Sequence, residues 1–432
     1  VEPSSLSNAV STAPLWWDGR PAPAPTASVL PATVDVVIVG AGYTGLSAAR
    51  ETAAAGRSTV VLDALDIGGG CSGRNGGQAA YSIKPSFESL TRRHGAELAF
   101  RICEEGAAAL AHLRMLSASE GLETGWRPVG VFVGAHTPRH YAELAREAQH
   151  QIPGLEQRIR MVPKAAQHEE IASDFYHGGS VYEDEGSVDP ARLLLALYRR
   201  AAAAGAALVG RCAVDAIERR TGGFEVRTAL GVVHARQVLL ATNGYSGKLS
   251  PWHRRRVIPI GSYQIATEPL GLERMRTLIP HGRAISDTRR VVVYYRPSAD
   301  GERLVFGGRS ALFETNALAC VPRLRAMMTE IFPQLASVPV THAWAGFVGY
   351  TFDKLPHLGC HDGVFYCMGY CGQGVPLAPY FGMRIGQQMV GDARGRTALD
   401  GLDFPSRPYY RGVPWFLAPT VLSYRWSDKL GL

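Results

Sequence analysis

Three stretches of this chain have residue types and spacings that do chemistry. The first is Gly40-Ala41-Gly42-Tyr43-Thr44-Gly45, set between the apolar run Val36-Val37-Ile38-Val39 and a helical pattern that begins at Thr44. Gly40 suits a tight turn, Gly42 lets a pyrophosphate touch bare backbone, and Gly45 lets helix and strand pack closely. The N–H groups at the start of that helix, around Tyr43 and Thr44, carry partial positive charge toward phosphates. Asp63 ends the next apolar run, 23 residues after Gly40, where a carboxylate accepts hydrogen bonds from ribose hydroxyls. Together these residues make a dinucleotide cradle that serves NAD and FAD equally. The second stretch, Gly68 to Gln78, is dense in glycine, and the third, Gly369 to Val375, places three more glycines before a helix. Such spacing lets backbone approach a ligand closely.

The elements that must hold these stretches are legible around them. Residues 36–39 read as a strand buried on both faces, followed by a helix over 44–55 and a strand over 59–62. Helical spacing recurs over 91–120, Asp189-Pro190 opens a helix that runs to Ala203, and further helices are predicted over 318–332 and 375–390. Strands are expected at 207–209, 224–227, 237–241 and 363–368, with a strand-rich stretch over 256–310. Residues 1–32, rich in Ser, Ala and Pro, read as an extended surface arm pinned by Trp16 and Trp17. This order predicts an α/β nucleotide-binding lobe interrupted by a second lobe built on a mixed sheet.

Composition narrows the function. Hydrophobic residues make up 46% of the 432 and charged ones 19%, which supports a large core and excludes a disordered chain. The balance of 45 Lys+Arg against 38 Asp+Glu gives +7, but the basic residues are scattered. Even the densest run, His253-Arg254-Arg255-Arg256, reads as a solvated face, so anionic small molecules are expected rather than nucleic acid. Seven cysteines without a CxxC pair read as free thiols of a reducing compartment. Cys360-His361 with Cys367 and Cys371 reads as strand and turn, and no metal is expected. Without a basic-then-apolar leader or a long apolar run, the sequence predicts no membrane span and a cytoplasmic location, and leaves the oligomeric state open.

The segment "IGGGCSGRNGGQ" (Ile67–Gln78) resembles the loop after the second strand in FAD-dependent oxidoreductases of the D-amino-acid-oxidase (DAO) type. "ATNGYSG" (Ala241–Gly247), "AWAGFVGYTFDKLPHLG" (Ala343–Gly359) and "GYCGQGV" (Gly369–Val375) resemble further family segments. Similarity over "YYRPSADGERLVFGG" (Tyr294–Gly308) and the terminal "YRWSDKLGL" is nearest to the γ-glutamylputrescine oxidase branch. The resemblance covers nearly everything after the arm. It implies a Rossmann-like FAD-binding domain interleaved with a mixed-sheet α+β substrate domain. FAD-binding parts are expected at 33–95, 181–260 and 341–400, substrate parts at 96–180 and 261–340, and a C-terminal tail at 401–432.

The resemblance also implies site residues. Gly70, Ser72, Arg74, Asn75, Gly76, Gly77 and Gln78 would wrap the pyrophosphate and one edge of the isoalloxazine, with Val214, Ala241, Thr242 and Asn243 also at the cofactor. Gly372, Gln373, Gly374 and Val375 would bring a helix N-terminus to flavin N1/C2=O, stabilising the charge that appears there on reduction. Arg296 would hold a substrate carboxylate, and Tyr263 and Gln264 would lie on a strand facing the flavin. Three residues depart from the branch: Cys71 stands for alanine, Asp63 for glutamate and Gln373 for histidine. No thiol lies near Val348–Gly349 and no imidazole near Asn75, which implies non-covalent FAD.

The expected activity is oxidation of the C–N bond of a small amine or amino acid, with O2 or another compound as electron acceptor. A carboxylate-bearing secondary amine, a cyclic imino acid or a γ-glutamyl-amine fits Arg296. His342, His357 and His361 read as structural, and Trp344 and Phe347 as core. Other readings are an NAD(P)-dependent dehydrogenase, the flavin module of a nucleic-acid-modifying enzyme, and a flavin-binding protein without turnover. Retained yellow colour, salt-sensitive RNA affinity and bleaching by amines separate them.

Overall fold

The computed structural model describes residues 6–27, 29–81, 83–119, 121–309, 311–312 and 314–431. The chain begins with β1 (Leu6–Ser11), then forms β2 (Thr33–Val39), α1 (Tyr43–Ala54), β3 (Thr59–Leu62) and the short β4 (Gln78–Ala79). Helices α2 (Phe87–His94) and α3 (Ala96–Ala118) precede β5 (Val131–Gly134), α4 (Pro138–Gln149), β6 (Ile159–Val162), β7 (Gly179–Tyr182) and β8 (Gly186–Ser187). Next come α5 (Pro190–Ala203), β9 (Ala207–Val209), β10 (Val214–Arg220), β11 (Gly223–Thr228), β12 (Gly231–Leu240), α6 (Pro251–Arg254) and the long β13 (Ile258–Thr267). Then follow α7 (Leu272–Leu278), β14 (Ala284–Asp287), β15 (Val293–Pro297), β16 (Leu304–Gly308), α8 (Ala317–Ile331) and β17 (Val340–Tyr350). The chain closes with β18 (His357–His361), β19 (Val364–Met368), α9 (Gly374–Met389) and α10 (Leu417–Leu430). Among the described residues no helix is long and apolar enough to cross a membrane.

Two large sheets organise these elements. An eight-stranded sheet carries β10-β11-β12-β2-β3-β9, with β19 joined to β12 and β18 to β19. Its centre is parallel: Val36 faces Thr59 on β3 and Gln237 on β12. The four residues Val36–Val39 are all buried, as an apolar run in a parallel sheet covered on both faces should be. On one face α1, α3, α5 and α9 share a core with Ile38 and Val61, while Val37 and Val60 pack into a second core on the other. Helices α1 and α9 touch closely because Gly382 lies against Thr44, where a Cβ would overlap its carbonyl oxygen.

The second sheet has nine strands in the order β1-β17-β13-β16-β15-β14-β5-β7-β6. Its back packs on α7 and α8 through Ile265, Phe306, Leu324 and Phe332. Its front looks toward the first sheet.

Several expectations shift here. The arm 1–32 does more than cross the surface: β1 pairs in parallel with β17, and Trp16 is buried. The helix expected over 91–120 breaks at Gly95, whose φ of 82° ends α2 and starts α3. The apolar side of α3 joins the core beneath the eight-stranded sheet, so residues 96–118 belong with the nucleotide lobe and not with the substrate part expected from 96. All of β17 pairs within the nine-stranded sheet, so the FAD part expected from 341 opens on a strand of that sheet. The divisions expected at 180/181 and 260/261 fall inside β7 and β13, both strands of that same sheet. The tail 401–432 ends in α10, with Leu417 and Val421 buried.

Candidate active site

The turn between β2 and α1 sits where the parallel strands end. Gly40 has φ of 108°, and a Cβ there would lie 2.8 Å from the Ala241 carbonyl oxygen. A Cβ on Gly45 would overlap the Gly40 carbonyl oxygen, so this glycine serves packing. Gly42 caps α1 without a side chain, and a Cβ there would meet only Ser72 Oγ, at 2.8 Å. Ser72 Oγ accepts the Tyr43 N–H at 2.9 Å. The other first-turn N–H groups have no acceptor within the helix. Asp63 accepts the Ala41 N–H on Oδ2 at 2.7 Å and the Leu65 N–H on Oδ1 at 2.8 Å. Burial raises its carboxyl above the ordinary range, opposed by those two bonds.

The loop at 70–78 is fixed from behind by donors from four other segments. Trp17 Nε1 donates to the Gly73 carbonyl at 3.1 Å and Trp16 Nε1 to that of Asn75 at 2.8 Å. Gln264 Nε2 and Trp344 Nε1 both donate to the Arg74 carbonyl, at 2.6 and 2.8 Å. These two are register partners on β13 and β17, so their side chains rise from one face of the sheet. Arg296 Nη1 donates to the Gly77 carbonyl at 3.2 Å and to that of Val188 at 2.8 Å. Within the loop, Asn75 Nδ2 donates to the Ser72 carbonyl at 2.9 Å, and its Oδ1 accepts the Gly77 N–H at 2.8 Å.

One cavity of about 1470 Å³ runs from the cradle to the front of the nine-stranded sheet. It is lined by Gly40, Gly42, Tyr43, Thr44, Asp63, Gly70, Ser72, Arg74–Gln78, Val214, Ala241–Asn243 and Gly372–Val375. Every residue expected at the cofactor is among these except Gly45. Pockets for drug-sized ligands measure roughly 300–1,000 Å³, so a cavity above that range is large enough for an extended dinucleotide and a small molecule beside it. The bare cap at Gly42, the first-turn N–H groups of α1 beyond Tyr43 and the glycines at 372 and 374 all fit a close-lying diphosphate and ring.

The substrate side departs from expectation. Tyr263 points away from the cavity, buried behind the sheet, where its hydroxyl donates to Glu314 Oε2 at 3.0 Å. Strand alternation turns its neighbours Ser262 and Gln264 to the front instead. Gln264 Oε1 is buried there without a hydrogen-bond partner among the described residues. Arg296 does not reach the cavity. It is 3% exposed, covered by the Trp16 ring at 5.0 Å and spent on two carbonyls. Burial pulls its pKa down to about 10. The three histidines and Trp344 are structural: His342 meets Asp18, His357 meets Asp353 and His361 stacks on Trp252, while Trp344 is fully buried. In the basic run, His253 is buried and Arg256 donates to Phe404 and Trp252 carbonyls.

Several cavity residues escape the sequence reading, among them Tyr294, Arg290 and Glu185. Tyr294, on β15, shares a 2.8 Å hydrogen bond with Ser262. Arg290 lines the cavity beside Tyr424 of α10, with no ion-pair partner among the described residues. Glu185 is buried at the β7–β8 end. Alternation along β13 and β15 was the available signal for the Ser262–Tyr294 pair. The other two residues lie on loops, where no periodicity points.

Residues 35–388 match the DAO family, FAD dependent oxidoreductase, and the chain belongs to that family. It is 32% identical over 407 residues to gamma-glutamylputrescine oxidoreductase of Escherichia coli (strain K12), covering 93% of this chain and 94% of that one. Identity is also 32% over 416 residues to the probable oxidoreductase OrdL of Rhizobium meliloti (strain 1021), covering 93% of this chain and 95% of the relative. Glycine oxidase from Geobacillus kaustophilus has the same fold, with a TM-score of 0.72 at 22% identity over 88% of this chain and 100% of that one. The protein is an FAD-dependent oxidoreductase. Of the two dinucleotides its cradle admits, FAD is the one this family uses.

Proposed function

We propose that this enzyme oxidises the C–N bond of a small amine or amino acid, held between the flavin and the front of the nine-stranded sheet. The observation that carries the reading is continuity: the cradle and the polar face of Ser262, Gln264 and Tyr294 line one cavity. The names of two relatives, gamma-glutamylputrescine oxidoreductase and glycine oxidase, both specify amines.

Bound FAD would supply a two-electron acceptor that takes hydride from the carbon beside nitrogen, leaving an imine for water to hydrolyse, with O2 or another acceptor as final oxidant. The chain's own part is positioning. Gln264 is anchored through Nε2 to the Arg74 carbonyl, so it forms a fixed part of the cavity wall against which substrate is oriented. The start of α9 at Gly374, with Gln373 as its cap, favours negative charge in front of it. The carboxylate role expected of Arg296 passes to Arg290, an exposed residue of the cavity lining whose guanidinium lies over the Tyr424 ring. Asp63 is assigned the ribose, through lone pairs left beyond its two backbone bonds. Burial lifts the cavity-lining thiols of Cys71 and Cys371 to about 11. Both therefore stay protonated and poorly nucleophilic, in keeping with non-covalent FAD.

The test is anaerobic mixing of the yellow holoenzyme with a panel of primary, secondary and cyclic amines, with and without carboxylates. Bleaching by at least one amine is expected. A flavin that stays oxidised with all of them overturns the proposal.

A further inference from the structure

Between β7 and β8 the chain carries three acids in a row, Glu183, Asp184 and Glu185. The first two are neutralised outside. Glu183 lies 3.6 Å from Arg160, and Asp184 lies 2.8 Å from Arg158 and 3.9 Å from Arg114. Glu185 turns inward, is 5% exposed, and has no ion-pair partner among the described residues. Its Oε1 accepts the Tyr81 N–H at 2.8 Å, and the residue is part of the cavity lining.

The Tyr81 N–H needs only an oxygen, which a glutamine amide would provide. A carboxyl group buried without a cation costs stability when it ionises, so an acid at this position exceeds what that bond requires. Its surroundings are rich in acceptors. The Tyr81 hydroxyl and Gln157 Oε1 are buried without partners among the described residues, and other parts of both residues line the cavity. Tyr182 donates to Glu147 Oε1 at 3.2 Å, which sets a second carboxylate at the rim. Burial lifts Glu185 to about 8, with Glu147 and Asp184 adding to the rise and Arg114 opposing it.

We infer that this end of the cavity is a cation subsite, in which Glu185, aided by Glu147, receives an ammonium group carried by the substrate away from the bond being oxidised. The inference rests on the amine-oxidising reading and narrows it to amines with a second cationic nitrogen, such as diamines and their derivatives.

The holoenzyme and its Glu185→Gln variant are assayed with α,ω-diamines from diaminobutane to diaminooctane and with n-alkylamines of equal length. Glutamine keeps an acceptor for the Tyr81 N–H, and FAD content reports whether the fold survives. The wild type should favour the best diamine over its alkylamine by about tenfold or more in kcat/KM, and the variant should lose that ratio, since a charge-assisted bond contributes about that much. A wild type with no such preference, or a variant that keeps it, overturns the subsite. If no amine is oxidised, the function fails separately, and calorimetry with the same diamines still tests the subsite. Binding about tenfold tighter to wild type than to Glu185→Gln supports it, and equal binding refutes it.

Discussion

The indole N–H of Trp16 donates to the Asn75 carbonyl oxygen at 2.8 Å, across 59 residues of sequence. The same indole meets Trp344 edge-on at 6.0 Å and lies under the Arg296 guanidinium. Arm, β15 and β17 therefore converge on the back of the flavin loop. Four of the five carbonyls from Gly73 to Gly77 are held by side-chain donors. This region of the site is a preformed surface, and its rigidity is supplied from far away in the chain.

Trp16→Phe removes one hydrogen bond and keeps a smaller aromatic ring in place of the indole. Such a bond contributes about 1 kcal/mol, so FAD affinity should fall about fivefold. Trp16→Ala also opens a cavity, with a cost of about 3–5 kcal/mol and a lowered Tm. Fluorescence titration of the apoprotein with FAD measures both, and an alanine variant that binds FAD like wild type would sink the stapling role.

Arg296→Ala and Arg290→Ala should separate stability from recognition. Loss of Arg296 frees the Gly77 and Val188 carbonyls and should lower Tm and FAD retention, with little change in the ratio of KM for acidic to uncharged amines. Loss of Arg290 should raise KM for carboxylate-bearing amines by about tenfold or more and leave Tm nearly unchanged. The opposite pattern in steady-state kinetics would return the carboxylate to Arg296.

Gly42→Val and Gly45→Ala are both changes in the cradle, yet they should fail differently. A Cβ at 42 meets only the Ser72 side chain, so the variant should fold but emerge colourless. At 45 even a methyl group overlaps the Gly40 carbonyl, so soluble yield should collapse. A Gly42→Val protein with stoichiometric FAD would refute the diphosphate assignment.

Glu185 gives a pH signature. Its folded pKa of about 8 exceeds the ordinary 4.5. Between those values the unfolded chain has released the proton that the folded chain still binds, so stability falls as pH rises through this window. The charged groups that act on it are Glu147 on α4, Asp184 beside it and Arg114 on α3. Glu185→Gln should therefore gain Tm over wild type from about pH 5 to pH 8, read by thermal melts with saturating FAD. A constant difference across that range would mean an unshifted carboxyl.

What the sequence disclosed follows from how locally each feature is determined. The cradle was readable because Gly40, Gly42 and Gly45 act through their own backbone and immediate neighbours. Along "SYQ", alternation guarantees that Tyr263 and Gln264 face opposite ways, yet only the burial of the strand decides which one meets the cavity. Arg296 was misassigned because its cover, Trp16, arrives from 280 positions earlier. The break at Gly95 was missed because α2 and α3 are both amphipathic, and a single positive φ separates them. Glu185 looked like one acid among three, and only folding divides the neutralised pair from the buried one.

Both sheets collect strands from early, middle and late in the chain. Any scission between Gly134 and Val340 leaves two fragments that each hold part of both sheets. Neither half of this enzyme can be excised, transplanted or expressed as an autonomous piece, and split versions should work only by mutual complementation.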